Sequence, residues 1–349
     1  MPLRAISIAA AITVLACGAA DARDGSMWER YKQSFLSGDG RIVDHAQAKT
    51  SHSEGQGYGM LLAVRHDDRS AFEKIWQWTR NNLQVRSDRL FAWHWGKRPN
   101  NEWQVLDYNN ATDGDITIAY ALLLANEKWG IPEFRGEALR IIRDIRTLLA
   151  IAWQGRTFLL PGYFGFLERH SIVLNPSYLI FPAFRAFGRL DEAAFWDRVL
   201  QDGLFLVERS CFGSLCLPPD WVELNGDGIR PAEGKAPYFG AEAVRVMLAL
   251  ATEESPRFPK GVAALLDQYR TTGNLPLWID LDKDSAALKP AAAGYYAVYS
   301  LAARRLGDRA LADKLLREAQ DRLKTEQDAY YSFSLYLLAT AAGRETASD

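Results

Sequence analysis

Apolar residues recur at three- and four-residue spacing in one stretch after another along most of the chain, whereas the two-residue alternation of a half-buried strand hardly appears. The pattern predicts helices over residues 28–36, 59–64 and on through 70–76, 116–129, 137–151, 177–187, 191–207, 241–251, 260–269, 291–306, 309–323 and 330–341. Gly-, Asn- and Asp-rich turns separate them, and no Pro/Gly/Ser-rich linker divides the chain. The fold class read from this is all-α, with one domain over residues 23–349. That length is large for a single core. A closed toroid of helical hairpins accommodates it, because each hairpin buries one face inward and another against its neighbours. A helical solenoid would carry a repeated word at a period of roughly 30 to 47 residues, and none is found.

Residues 1–22 read as a secretory signal peptide: Arg4, an apolar run from Ala5 to Ala16, then Ala20-Asp21-Ala22. The apolar run is short for a membrane span, and no later stretch approaches the roughly 18 apolar residues a span needs. The mature chain is therefore expected without a membrane span, and periplasmic or secreted. Cys17 offers a lipid-anchor alternative, with Leu15 an awkward neighbour for it. Removing the leader leaves Cys211 and Cys216, separated by Phe-Gly-Ser-Leu. In an oxidising compartment they are expected to form a local disulfide, the alternative being two buried thiols.

A formal net charge of -2, with no basic clustering, argues against nucleic acid as a partner. The 11 Trp, 14 Tyr and 16 Phe either fill a core or offer faces on which sugar C–H bonds stack. No metal or cofactor is expected. The five histidines lack ligand spacing, no Cys-x-x-Cys pair exists, and the Asn225-Gly226-Asp227-Gly228 turn lacks the other ligands of a calcium loop. A phosphate-binding glycine loop and a Gly-x-Ser-x-Gly word are also absent.

Carboxyl groups at the heads of apolar helices direct attention elsewhere. Asp113 and Asp115 open the run that continues to Trp129, where a helix N-terminus stabilises negative charge by roughly 0.3–1 kcal/mol and capping alone would account for them. Being two apart, they face different directions on one helix. Upstream, Ser53-Glu54-Gly55-Gln56-Gly57-Tyr58-Gly59-Met60 sets one carboxyl among three glycines and a tyrosine.

These two segments resemble the signature regions of glycoside hydrolase family 8, the inverting β-1,4-glucanases. The resemblance runs through Trp28-Glu29-Arg30-Tyr31-Lys32, Trp93-His94-Trp95-Gly96-Lys97, Asn175-Pro176-Ser177-Tyr178, Pro219-Asp220-Trp221-Val222 and Asp328-Ala329-Tyr330-Tyr331, words similar to those of periplasmic cellulases that accompany bacterial cellulose synthases. It implies an (α/α)6 barrel, a β-1,4-glucan chain as substrate and a cellulose synthase complex as a possible partner.

Inverting hydrolysis needs a protonated carboxyl to donate to the glycosidic oxygen and an ionised one to take a proton from water. Glu54 is the candidate acid, against the plain alternative of a first-turn glutamate. The family's base is an aspartate in a segment of the kind Phe-Gly-Tyr-Asp-Ala-Val-Arg-Val; here Phe239-Gly240-Ala241-Glu242-Ala243-Val244-Arg245-Val246 puts Glu242 in its place. The extra methylene moves the carboxylate by roughly 1 Å, and Glu242 could instead simply pair with Arg245. Asp227 is the substitute base. By the same resemblance Asp113 contacts the sugar at the point of cleavage and Tyr178 sets a hydroxyl near base and water, leaving Asp115 to bond backbone or a neighbouring helix. Trp93, Trp95, Trp103 and Trp221, in turn-rich segments, are the candidate stacking platforms; Trp93 and Trp95 are not expected both to face the cleft. Two other readings stay open: a glucan-binding factor that has lost hydrolysis through the change to Glu242, and a hydrolase of chitosan, xylan or mixed-linkage glucan.

Overall fold

A computed structural model describes residues 25–326 and 329–345, so the leader over 1–22 and Asp328 of the last motif lie outside the described residues. The helices are α1 (residues 25–35), α2 (Ser53–Arg65), α3 (Arg69–Asn82), α4 (Thr112–Trp129), α5 (Pro132–Asp144), α6 (Phe181–Gly188), α7 (Ala193–Arg209), α8 (Val244–Leu250), α9 (Gly261–Thr272), α10 (Ala293–Arg305), α11 (Arg309–Leu323) and α12 (Tyr330–Glu345). Packing separates them into two layers. α2, α4, α6, α8, α10 and α12 contact one another in that order, and α12 returns to α2, closing an inner ring. The outer helices lie against them: α3 on α2, α5 on α4, α7 on α6 and α11 on α10. Tyr269 of α9 meets Tyr296 of α10 edge-on, and Tyr31 of α1 meets Phe333 of α12 likewise. The architecture is an (α/α)6 barrel.

Sequence chemistry explains the layering. α2, α4 and α10 are buried on nearly every side, and their sequences are accordingly rich in Ala, Gly, Leu and Ile rather than striped. α3, α5 and α11 bury one stripe, such as Phe72, Ile75 and Trp76 in α3, and turn charged residues outward. Local stop and start signals fix the ends. Asp68 and Asp308 cap α3 and α11 by accepting from Ala71 and Leu311 N–H, Pro132 opens α5, and Gly130 ends α4 at φ 66°.

Links of two to four residues join α2 to α3, α4 to α5, α6 to α7 and α10 to α11, whereas the links from α1 to α2, α3 to α4, α5 to α6, α7 to α8 and α9 to α10 are long. All the strands lie in the long links, on one rim of the ring. β1 (Ser51–His52), β2 (Ala92–Lys97) and β3 (Trp103–Asn110) form one antiparallel sheet, with Ser51 opposite Trp95 and His52 opposite His94. β4 (Ala150–Trp153) pairs with β5 (Arg156–Leu159). β6 (Ser171–Leu174), β7 (Val222–Asn225) and β8 (Gly228–Pro231) make another sheet, and β9 (Tyr238–Phe239), β10 (Ile279–Asp280) and β11 (Ser285–Ala286) a fourth.

Several expected helices differ at their ends: the stretch over 59–64 and 70–76 is two helices that begin at Ser53 and end at Asn82, and the one expected from 116 begins at Thr112. The stretch over 137–151 stops at Asp144, followed by a π-helical turn and β4. Tyr178 stands in a 3-10 turn before α6, and residues 241–243 form a turn ahead of α8. Cys211 and Cys216 are disulfide-bonded in the α7–α8 link. Among the described residues no helix is long and apolar enough to cross a membrane, and no group of three or more potential metal ligands occurs.

Candidate active site

Because outer and inner helices alternate in direction, the inner ones present their N-termini at the rim that carries the strands. Glu54 lies in the first turn of α2, Asp113 in the first turn of α4, Glu242 in the turn before α8, and Tyr330 at the start of α12. What brings the first two together is a close approach of backbones. A Cβ on Gly114 would lie 2.8 Å from Ser53 Cβ and 2.9 Å from the Glu54 nitrogen, and closer still to Ser53 Oγ, so only glycine fits between Asp113 and Asp115.

Arg245, from the first turn of α8, ties the centre together and is 5% exposed. Its Nη1 donates to Glu54 Oε2 at 2.6 Å, to the Tyr58 hydroxyl at 2.6 Å and to Asp113 Oδ2 at 3.0 Å. Its Nη2 donates to Ser177 Oγ at 2.9 Å and forms an ion pair with Glu242. Asn175 Nδ2 donates to the same Glu242 carboxylate at 3.2 Å, and Ser177 Oγ donates to Asn175 Oδ1 at 2.7 Å. The Tyr330 hydroxyl donates to the other oxygen of Glu54 at 3.1 Å. The sequence-level alternative for Glu242, pairing with Arg245, is thus present, and the same contact places Glu242 beside Glu54 and Asp113.

Three carboxyl groups around one buried guanidinium leave an excess of negative charge that burial penalises, which favours the protonated form of the most buried members. Burial raises Glu54 above the ordinary range, opposed by Arg245 and helped by the charge of Glu242. Asp113 is raised for the same reasons. Glu242 is different: a third of its side chain is exposed, and both Asn175 and Arg245 donate to it. The centre thus sets two deeply buried carboxyls, raised by burial, beside a third that is partly open to solvent and held by two donors.

Tyr178 lies against this centre, with the Arg245 guanidinium 5.7 Å from its ring and Trp221 meeting it edge-on at 6.1 Å. Trp221 also stacks on Phe166 at 5.7 Å. Trp93 stacks on His52 and His94 at 5.6 and 4.6 Å, and His52 in turn lies 6.4 Å from the ring of Tyr330. Trp95 and Trp103 are not brought to the carboxyls. They stack on each other at 5.1 Å, with Arg41 4.9 Å from each ring, and Trp95 packs edge-on to Trp78 of α3. Residues i and i+2 of a regular strand share a face; register shifts on either side of His94 let Trp93 and Trp95 part company.

Asp115 accepts from Phe91 N–H at 2.9 Å and Asn110 Nδ2 at 2.7 Å, a carboxyl that ties the start of β2 and the end of β3 to α4. Asp227 stands in the β7–β8 turn beside a cavity walled by Gln154, Arg156 and Phe205, and it shares none of the contacts of Arg245. Tyr58, Asn175, Ser177, Asp220 and Tyr330 join the centre although sequence reasoning gave them no role. Each falls inside one of the words that carry the family resemblance, which was the available signal.

A ring of helical hairpins that gathers three carboxyl groups about one guanidinium at a single rim has the architecture and the chemical groups of a hydrolase of glycosidic bonds. The model of the glycosyl hydrolases family 8 matches residues 1–345, and the chain belongs to that family. It is 36% identical over 303 residues to an endoglucanase of Cellulomonas uda, covering 86% of this chain and 83% of the relative. It is 35% identical over 277 residues to a probable endoglucanase of Novacetimonas hansenii, covering 78% and 80%. The solved structure of the endo-beta-1,4-glucanase CMCax from Acetobacter xylinum superposes with a TM-score of 0.82 at 33% identity, over 94% of this chain and 99% of that one.

Proposed function

We propose that this chain is an exported endo-β-1,4-glucanase that cleaves with inversion, Glu54 donating the proton and Glu242 receiving one. The observation that carries the reading is the convergence of Glu54, Asp113 and Glu242 on the single buried guanidinium of Arg245. The β-1,4-glucan substrate is supported by the endoglucanases it resembles over most of its length.

In this mechanism Glu54 protonates the glycosidic oxygen as the bond from the anomeric carbon to it breaks. Water adds to the opposite face of the sugar and gives its proton to Glu242, so charge and protons balance and the configuration inverts. Asp113, held 3.0 Å from Arg245 beside Glu54, contacts the sugar at the point of cleavage, and Tyr178 orients the water near Glu242. Trp93 and Trp221 flank this centre as stacking faces for neighbouring glucose units; Trp95 and Trp103 form a separate platform farther along the rim.

Export is supported by the leader-like residues 1–22 and by the Cys211–Cys216 bond, which persists in oxidising compartments. Service to a cellulose-synthesising complex belongs to the same proposal; deleting the gene in its host should alter cellulose output.

The viscosity of carboxymethylcellulose treated with the mature chain tests the activity. A rapid fall, abolished in Glu54→Gln and Glu242→Gln, is the expected result. A second reading, glucan binding without hydrolysis, is favoured by the ion pair that occupies Glu242. It requires tight oligosaccharide binding with no release of reducing ends.

A further inference from the structure

The turn that delivers Glu242 is held from outside its own segment. Asp220, just before β7, accepts on Oδ1 from the N–H of Gly240 at 3.0 Å and from the N–H of Ala243 at 2.7 Å. Its own N–H donates to the Tyr238 carbonyl at 2.7 Å. The fit is tight, since a Cβ on Gly240 would lie 2.7 Å from Asp220 Oδ2. On the other side the Tyr331 hydroxyl donates to the Ala241 carbonyl at 2.6 Å. α8 starts here, with Arg245 N–H bonded to the Glu242 carbonyl at 3.0 Å. The Ala243 N–H is one of the donors a helix start leaves without an intrahelical partner, and Asp220 caps it from a distant segment.

We propose that Asp220 is the positioning residue for Glu242, fixing where that carboxylate stands by clamping the backbone N–H groups on either side of it. The inference rests on the reading of Glu242 as the base. A glutamate at this place has one more torsion than an aspartate, so its reach is set only if its backbone cannot drift. Misplacement by about 1 Å costs on the order of a hundredfold in rate. Other polar groups bear on Asp220 as well. Glu242, Arg245 and the Tyr295 hydroxyl surround it, the last buried without a hydrogen-bond partner among the described residues. Burial, reinforced by the charge of Glu242, pushes the Asp220 carboxyl up to about 6 against the pull of the Ala243 N–H.

The test compares Asp220→Ala, Asp220→Asn, Gly240→Ala and Glu242→Gln in the full chain, measuring kcat and KM on a soluble cello-oligosaccharide together with Tm. Asp220→Ala should lower kcat by about 30- to 100-fold with KM within about threefold, as expected for a displaced reacting group rather than lost binding. Asn keeps an oxygen that accepts the same two N–H groups, so Asp220→Asn should return kcat to within about fivefold of the parent. Gly240→Ala, which pushes on Asp220 without removing its carboxyl, should lower kcat as Asp220→Ala does, and it carries the test if Asp220→Ala fails to fold. A lowered Tm with unchanged kcat in Asp220→Ala or Gly240→Ala overturns positioning, as does an Asp220→Asn enzyme as slow as Asp220→Ala. An active Glu242→Gln would instead defeat the base assignment, so the two failures are distinguishable.

Discussion

Arg245 Nη1 reaches Glu54 Oε2 at 2.6 Å across 191 residues of chain, joining the head of the first inner helix to the head of the fourth. The contact does two things at once. It ties α8 to α2 at the rim of the barrel, and it offsets part of the desolvation that raises Glu54 and Asp113.

The proposed role of Glu54 as the acid sets an expectation for the pH dependence of the reaction. Burial raises it, and donation from Tyr330 opposes that shift by favouring the ionised form. An acid must carry its proton, so activity is lost as pH rises through this raised pKa. The alkaline limb of kcat/KM should therefore lie above the ordinary glutamate value of about 4.3. Tyr330→Phe should move that limb to still higher pH, and a shift downward would contradict the assignment.

Removing the cation should cost both stability and rate. Arg245→Met leaves three carboxyls without their shared cation, a change worth about 3–5 kcal/mol of stability for a buried pair broken from one side. Arg245→Lys keeps the charge but cannot serve Glu54 and Glu242 from two nitrogens; kcat should fall roughly a hundredfold with substrate binding largely kept. Thermal unfolding and steady-state kinetics read the two effects separately.

Gly114→Ala should report on the approach of α2 and α4. Its methyl group would crowd Ser53 and the Glu54 nitrogen, so the helices must part. Overpacking of this kind costs about 1–3 kcal/mol, and kcat should drop more than the same loss of stability elsewhere would cause. An unperturbed kcat would mean that the Glu54–Asp113 spacing is not critical.

Cutting the disulfide should leave catalysis alone. Only four residues lie between Cys211 and Cys216, and neither belongs to the Arg245 cluster. Cys211→Ser with Cys216→Ser should lower stability by about 2 kcal/mol or less, the low end for such bonds, with kcat unchanged. Calorimetry and kinetics on the double variant check this.

Periodicity read the layers well because inner and outer helices each bury a face set by local sequence. The predicted helix over 309–323 has the ends that Asp308 and the apolar stripe of α11 dictate. What periodicity missed was set by contacts between distant segments. Residues 241–243 continue an apolar helical pattern, yet Asp220 draws the N–H groups of Gly240 and Ala243 into a turn. The strands are 2–8 residues long and pair within rim links, too short for alternation to register. Glu54, Asp113 and Glu242 were legible as carboxyls in recognisable words. Arg245 was legible only as a neighbour of Glu242, because its bonds to α2 and α4 exist only once the ring closes. That Trp93 and Trp95 make different contacts depended on the register shifts beside His94, which no spacing rule reveals.

The most direct measurement is proton NMR of the first product released from a cello-oligosaccharide, recorded before mutarotation. The α-anomer is the predicted product, formed by water that Glu242 deprotonates opposite the departing oxygen. Initial release of the β-anomer would contradict the mechanism, because it requires a covalent intermediate that this pair of roles does not provide.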